Sequence, residues 1–283
     1  MSDLFLPFLS SPINLHKTIM EAGVVEICQR YLPLRPWEED RTQRLPGLNP
    51  MLPGEWLLQD EAYGTQMAHR LHLMATCKEA VHQISDAAMP AAQELLECVL
   101  EEVRDAQGYH VSTTSVICPD GRKVEIDYDQ PLLTCGAIVQ EDLVIMEKIG
   151  SEHVLTGAIL CFPSSWTLAE KFMQPMTRIH VPVEVYTEEI AKRVQRLFDG
   201  IQVARPMWRG NYLSYGDPEL HQPRLEKDVR LAPGSGPQWL RVERQGMRRL
   251  ERSGAVIFSI HTYVLSEARL AELEINLPAP SGR

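Results

Sequence analysis

Apolar residues recur at helical spacing in two neighbouring stretches of the chain. The stretches YGTQMAHRLHLMATCKEAVHQI (63–84) and AAQELLECVLEEVRDAQG (91–108) both repeat apolar residues every three or four positions. This period is typical of a helix with one buried face. We therefore predict two helices between residues 61 and 107, the second of them capped by Gly108. The predicted stripes are Met67, Leu71, Met74 and Val81 in the first helix, and Leu95, Leu96, Val99, Leu100 and Val103 in the second.

After residue 108 the period shortens to that of strands. Residues 109–128 place two strand-like runs around PDGR, which is typical of a hairpin turn. Further strand patterns follow in NYLSYG, QWLRVERQGM and GAVIFSIHTYVL. Three helices are predicted among them: SSWTLAEKF with a serine cap, TEEIAKRVQRLFDGI and SEARLAELEI. Early helices followed by a mostly antiparallel sheet with inserted helices indicate an α+β fold.

The first 62 residues differ in composition and are rich in proline and tryptophan. Five prolines between residues 30 and 60 exclude a long helix there. Trp37, Trp56 and several leucines make the segment too apolar for a typical disordered tail. We predict an extended wrapping segment over residues 1–62, a single domain with N-terminal helices over residues 63–275, and a tail over residues 276–283.

Composition and charge narrow the class of protein. The chain has 283 residues, 44% of them hydrophobic and 23% charged, which is close to the average for globular proteins. A formal net charge of −10 disfavours nucleic acid and anionic membranes as partners. No apolar run reaches the roughly 20 residues that span a bilayer, and a secretory signal pattern is absent. Six scattered cysteines without a CxxC pair favour reduced thiols, so we expect a cytoplasmic protein.

Several common catalytic and nucleotide-binding motifs are absent from the sequence. The patterns GxGxxG, GxxxxGK[ST], GxSxG and HExxH do not occur. His69 and His72 have the spacing of two metal ligands on one helix, but no further ligand completes a set. We interpret them, with His82, as surface histidines.

Five stretches, taken in order, resemble one family. They are GLNPMLPGEWLLQDEAYGTQMAHR (47–70), VQEDLVIM (139–146), CFPSSWTLAEKFMQPMTRIHVPVEVY (161–186), RGNYL (209–213) and RVERQGMRRLERSGAVIFSIHTY (241–263). In order and spacing they resemble the heme-dependent oxidative N-demethylase alpha-subunit-like proteins over most of residues 35–265. The resemblance implies a PAS-like antiparallel sheet with flanking helices that holds heme b. It also implies oxidative N-demethylation of a small secondary amine with O2, with release of formaldehyde and electrons from a separate flavin and iron–sulfur reductase.

His180 is the predicted axial ligand of the heme iron. In RIHVPVEVY, residues Ile179, His180, Pro182 and Val183 match the family's IHxPV pattern. Neutral imidazole is a common donor when iron must keep one face open for oxygen. A packed core histidine is the alternative interpretation of the local pattern, and Cys161 is the nearest alternative ligand.

Arginines are natural partners for the heme propionates, because the guanidinium fork fits a carboxylate. The candidates are Arg209 in RGNYL, and Arg241 and Arg244 in RVERQ. Strand alternation places the last two on opposite sides. His261 lies where the family usually has arginine, so it is predicted either to hydrogen-bond a propionate or to bind the iron itself. Either role would change the family's chemistry in this chain.

A carboxylate in the pocket would attract a secondary amine, which is protonated near neutral pH. Glu243 is the predicted carboxylate, with Asn211 and Tyr63 as hydrogen-bonding groups. Glu141 and Asp142 are a paired-carboxylate alternative, but adjacent strand residues point to opposite sides and cannot act together on one ligand. We interpret that pair as a turn or a structural cap.

The prediction is therefore a heme-dependent monooxygenase of the N-demethylase type. A PAS-like fold accommodates sensing as readily as catalysis, so a heme-binding sensor without turnover stays open as an alternative. A cofactor-free α+β ligand-binding protein is the third interpretation. Nothing in the chain resembles a flavin or iron–sulfur site, so electrons would come from a partner protein.

Overall fold

The chain folds around two antiparallel sheets and eight α-helices within the part that the structure describes. The computed structural model describes residues 27–38, 42, 47–179, 188–228, 236 and 238–276, without the side chains of residues 188–192. The α+β class and the mostly antiparallel sheet predicted from the sequence are confirmed. The helices are α1 (Tyr63–Thr76), α2 (Lys78–Val81), α3 (Met89–Arg104), α4 (Pro131–Ile138), α5 (Leu168–Lys171), α6 (Met176–Ile179), α7 (Glu188–Gly200) and α8 (Glu267–Glu272).

Seven strands form the main sheet, and neighbouring strands pair antiparallel in the order β1-β8-β9-β10-β6-β7-β2. A second sheet has the order β3-β4-β5. The strands are β1 (Asn49–Pro50), β2 (His82–Ile84), β3 (His110–Val111), β4 (Ser115–Ile117), β5 (Lys123–Glu125), β6 (Asp142–Ile149), β7 (Glu152–Ile159), β8 (Met207–Tyr215), β9 (Trp239–Arg249) and β10 (Val256–Ser266).

Both faces of the main sheet are covered by other elements. We call the first face the one that carries Leu240, Val242 and Arg244 of β9, and the second face the one that carries Arg241 and Glu243. The first face packs on α1, α3 and α4 at its β6–β7 end. The second face packs on the segment from α5 to α7. Because each face has its own apolar cluster, β9 and β10 are buried on both sides, and polar residues on them need internal partners.

The proline-rich segment lies across the first face at its β8–β10 end. Leu32 and Leu34 pack in one cluster with Leu240 and Val242, and Trp56 is also buried. The short strand β1 pairs with β8 at the edge of the sheet. Within its described residues, the segment therefore shares the apolar cover of this end of the first face with Leu270 of α8.

Gly210 of β8 is the point where this segment comes closest to the sheet. A Cβ atom there would lie 2.9 Å from Pro36 Cβ and even closer to Pro36 Cγ. We expect Gly210→Ala to lower the free energy of unfolding by about 1–3 kcal/mol, because the segment must shift to make room. Urea denaturation followed by tryptophan fluorescence measures this change.

The matched control is Gly216→Ala, just after β8, where an added Cβ meets no atom within 4 Å. It should change stability by less than about 0.5 kcal/mol. Equal losses for the two variants would show that the close approach of Pro36 is not the cause.

Most predicted elements are present, with differences at their ends. The PDGR hairpin forms between β4 and β5, with Gly121 at a φ of +80°. The first predicted helix stops at Thr76, and residues 82–84 pair as an edge strand with β7. The predicted serine cap of SSWTLAEKF is wrong, because Thr167 precedes α5 and its hydroxyl donates to Glu170. None of the helices in the described ranges is long and apolar enough to cross a membrane.

Candidate functional site

A buried imidazole lies between two carboxylates at the centre of the first face. His261 on β10 is 1% exposed. Its Nδ1 lies 3.0 Å from Glu141 Oε1, and its Nε2 lies 3.1 Å from Asp60 Oδ2. Both ring nitrogens therefore have carboxylate partners, which is the arrangement expected of a protonated histidine.

This arrangement changes the ionisation of the histidine. Burial by itself would lower the pKa of His261, but the hydrogen bonds to Asp60 and Glu141 and the charges of these carboxylates raise it to about 9. Burial opposes the ionisation of Asp60, yet His261 and the amides of Gln140 and Gln29 lower the pKa of Asp60. The three groups thus form a charged network that joins the N-terminal segment, the start of β6 and the centre of β10.

The adjacent carboxylates of the VQEDL motif have separate partners. Asp142 Oδ1 lies 2.6 Å from Nη1 of Arg70, which is fully buried on α1. Asp142 also accepts from the backbone N–H groups of Cys161 and Phe162, at 2.7 and 2.9 Å. Asp142 therefore caps backbone N–H groups, as predicted for the pair, whereas Glu141 accepts from the Leu58 N–H and contacts His261.

On the second face, polar side chains of β8 and β9 form one hydrogen-bonded cluster. Arg241 Nε lies 3.1 Å from Glu243 Oε1. The other Glu243 oxygen accepts from Gln245 at 2.9 Å and from Asn211 at 3.4 Å. Arg241 also donates to the carbonyls of two loop residues, Leu220 and Phe162, so its guanidinium is occupied by protein groups. These contacts tie the sheet to the loops around residues 162 and 220.

Two adjoining clefts open on the first face, between the N-terminal segment and the sheet. Their volumes are about 390 and 400 Å³, and both are lined by Leu58, Trp208 and Arg244. Glu55 lines one cleft, whereas Asp60 lines the other. The Arg244 guanidinium carbon lies 5.0 Å from the ring centre of Trp208. The clefts therefore combine apolar walls with a cation and carboxylates.

The predicted site residues do not all come together. Four lie on the second face, and two lie on the first. Tyr63 lines neither cleft, because its hydroxyl donates to the Ile138 carbonyl at 2.6 Å in the core. His180 lies outside the described residues. The second-face residues are Arg209, Asn211, Arg241 and Glu243, and the first-face residues are Arg244 and His261.

Three partners of the buried charged residues were not predicted from the sequence. Asp60, Arg70 and Trp208 lie inside or beside the motifs quoted above, but neither Asp60 nor Trp208 has a local pattern that indicates its role. One signal was usable: Arg70 falls among apolar residues of α1, where a buried cation requires a carboxylate partner. In the described ranges, no three or more His, Cys, Asp and Glu side chains are placed to hold a metal ion.

Comparison with known proteins agrees with these motifs. No curated protein matches the chain. The family model described as haem-dependent oxidative N-demethylase, alpha subunit-like, matches residues 47–277. This range contains every motif quoted for the resemblance, the buried networks of both sheet faces and the IHxPV stretch. The chain therefore belongs to the haem-dependent oxidative N-demethylase alpha subunit-like family.

Proposed function

We propose that this chain binds heme b and oxidatively demethylates a small methylated amine, using O2 and electrons from a flavin and iron–sulfur reductase. The observation that carries the proposal is the family match over residues 47–277, which includes His180 in its IHxPV context. The family's name describes a subunit of a heme-dependent enzyme, which supports a partner protein as the electron donor. A heme-binding sensor without turnover is the alternative, because a PAS-like fold accommodates sensing as readily as catalysis.

The sheet supports a PAS-like assignment. Its five long strands follow each other along the chain as β6, β7, β8, β9 and β10, and they lie in the order β7-β6-β10-β9-β8. Helices α5 to α7 fall between the second and third of these strands. Numbered along the chain, this order is 2-1-5-4-3 with neighbouring strands antiparallel, and we propose it as a PAS-like sheet.

The second face fits a heme better than the first-face clefts do. A heme needs an axial donor, cations for its propionates and an apolar surface for the macrocycle. Arg209 is on the second face, and the apolar cluster there includes Met207 and Met247. Ile179, which immediately precedes His180, packs against the same cluster. No histidine or cysteine lines either first-face cleft within the described ranges.

In this proposal the bound heme supplies the oxidative chemistry, and the protein orients cofactor and substrate. His180 would hold the iron, and Arg209 would hold a propionate. Glu243 attracts the protonated amine, and Asn211, 3.4 Å from its Oε2, orients the amine nitrogen. Arg241 holds the Glu243 carboxylate in place through its 3.1 Å contact. His261 has no role at the iron, because both of its ring nitrogens are bound to carboxylates.

His180→Ala should abolish the Soret band that forms when hemin is added to the purified protein. The reason is that the imidazole is the residue proposed to hold the heme iron, so its removal would eliminate specific heme binding. Visible spectroscopy during hemin titration measures the band, and circular dichroism verifies that the fold is intact. Formaldehyde release from dimethylamine, with a reductase supplying electrons, should be lost in the same variant.

The control is His72→Ala, because His72 is an exposed residue of α1. It should leave both the Soret band and formaldehyde release unchanged. A normal Soret band in the His180 variant would move the axial role to another residue. A normal band without formaldehyde release in the unaltered protein would support the sensor alternative.

A further inference from the structure

Arg244 is a buried cation whose hydrogen-bonding groups are not used by the rest of the described chain. Its side chain is 10% exposed, and no hydrogen bond joins it to another described residue. The nearest carboxylate oxygen, Glu55 Oε2, is 3.8 Å away and already accepts from the Leu52 N–H at 2.9 Å. Burial lowers the pKa of Arg244 from its usual value. A guanidinium in this state is stabilised by an anion that enters the site.

The space beside Arg244 has the size and walls of a small-molecule site. Arg244 lines both clefts, whose volumes of about 390 and 400 Å³ are within the usual range for ligand pockets. The Arg244 guanidinium carbon lies over the Trp208 ring, so Trp208 forms one wall beside the cation. Leu34 and Leu58 give an apolar surface. Tyr263 lines one cleft as well, and its hydroxyl makes no hydrogen bond to another described residue.

The charges around the clefts restrict the ligand. Arg244 is the single cation that lines them among the described residues, whereas Glu55, Asp60 and Glu61 are carboxylates. These carboxylates would repel a dianion such as a phosphate ester about twice as strongly as a monoanion, and the dianion would lack a second cation. A planar monocarboxylate fits the guanidinium fork with two parallel hydrogen bonds.

We propose that these adjoining clefts bind a small organic monocarboxylate with an apolar body. Arg244 and the Tyr263 hydroxyl donate to the carboxylate, and the body lies against Trp208, Leu34 and Leu58. This site is on the opposite sheet face from the group assigned to heme, so it does not depend on the proposed function. A heme propionate is also a carboxylate, and the experiment therefore distinguishes the two sources.

Benzoate is the probe, titrated into full-length protein prepared without hemin and followed by tryptophan fluorescence and calorimetry. Benzamide, its neutral isostere, should bind at least about tenfold more weakly, because the charge-assisted hydrogen bonds are lost. Phenylphosphonate should bind no more tightly than benzoate.

Arg244→Met should weaken benzoate binding at least about tenfold, and Tyr263→Phe about threefold to tenfold. Glu55→Gln should strengthen it about twofold to fivefold by removing a nearby negative charge.

Arg248→Met is the matched control. Arg248 lies on the same face of β9 and stacks on Trp56 at 4.5 Å, but it lines neither cleft. Benzoate affinity should be unchanged in this variant and in protein loaded with hemin. Equal binding of benzoate and benzamide, or equal losses in the two arginine variants, would refute the site. Displacement of benzoate by hemin, together with hemin loss in Arg244→Met, would instead assign Arg244 to a propionate.

Discussion

Arg70→Leu should lower the free energy of unfolding by about 3–5 kcal/mol, because it leaves the Asp142 carboxylate buried without its cation. Arg70 is fully buried and Asp142 is 1% exposed. The guanidinium donates to Asp142 at 2.6 Å, to the Glu141 carbonyl at 2.9 Å and to the Gly136 carbonyl at 3.3 Å. One substitution therefore removes an ion pair and two further hydrogen bonds from the interior. Urea denaturation monitored by far-UV circular dichroism measures the loss.

The control is an exposed ion pair whose charged atoms lie at a similarly short distance. Lys123 and Glu125 lie 2.5 Å apart, with side chains that are 58% and 65% exposed. Lys123→Ala should cost less than about 1 kcal/mol, because solvent screens both charges. The two effects should differ several-fold. Similar losses in the two variants would show that Asp142 is stabilised mainly by the backbone N–H groups of Cys161 and Phe162.

The free energy of unfolding should fall by about 3 kcal/mol as the pH rises from 6.5 to 9, through deprotonation of His261. The pKa of this residue is about 9 in the folded protein, against an ordinary value of 6.5. Its folded pKa is raised, so the stabilisation is fully present below pH 6.5 and disappears as the pH passes 9. Once neutral, His261 can donate to only one of Asp60 and Glu141. Urea titrations at intervals of half a pH unit measure this slope.

His261→Gln separates this titration from the other groups of the protein. Glutamine retains a donor and an acceptor but does not ionise in this range. We expect the variant to be less stable than the natural protein at pH 6 and to show little change between pH 6.5 and 9. His261→Arg, which restores the residue usual in the family, should keep a cation between the carboxylates and also remove the slope. A slope that persists in both variants would place the titrating group elsewhere.

The local elements of this fold were predictable because their signals are local. The strand patterns that correspond to β8, β9 and β10, and the hairpin at PDGR, follow from period and turn chemistry over a few residues. The end of the first helical stretch at Val81, after α2, was not, because residues 82–84 are held as a strand by pairing with β7. That pairing depends on residues more than 70 positions away.

In the candidate site, too, local sequence predicts which residues are polar, whereas distant contacts decide their partners. The family motifs led to the prediction of His180, Arg209 and Arg244 as site residues, and alternation along RVERQ separates Arg241 from Arg244. Which group each of them meets depends on the register of β8, β9 and β10 and on the path of the N-terminal segment. Asp60 and Glu141 are 81 positions apart, yet they bind the same imidazole.

Residue type and spacing were enough to establish the α+β class, the main helices and strands, and the family to which the chain belongs. Only the folded arrangement revealed that His261 is held by two carboxylates, that Arg241 is occupied by loop carbonyls and that Arg244 faces open clefts. The reason is physical. Periodicity reports which side of an element is apolar, whereas the environment of a buried charge depends on groups brought from distant parts of the chain.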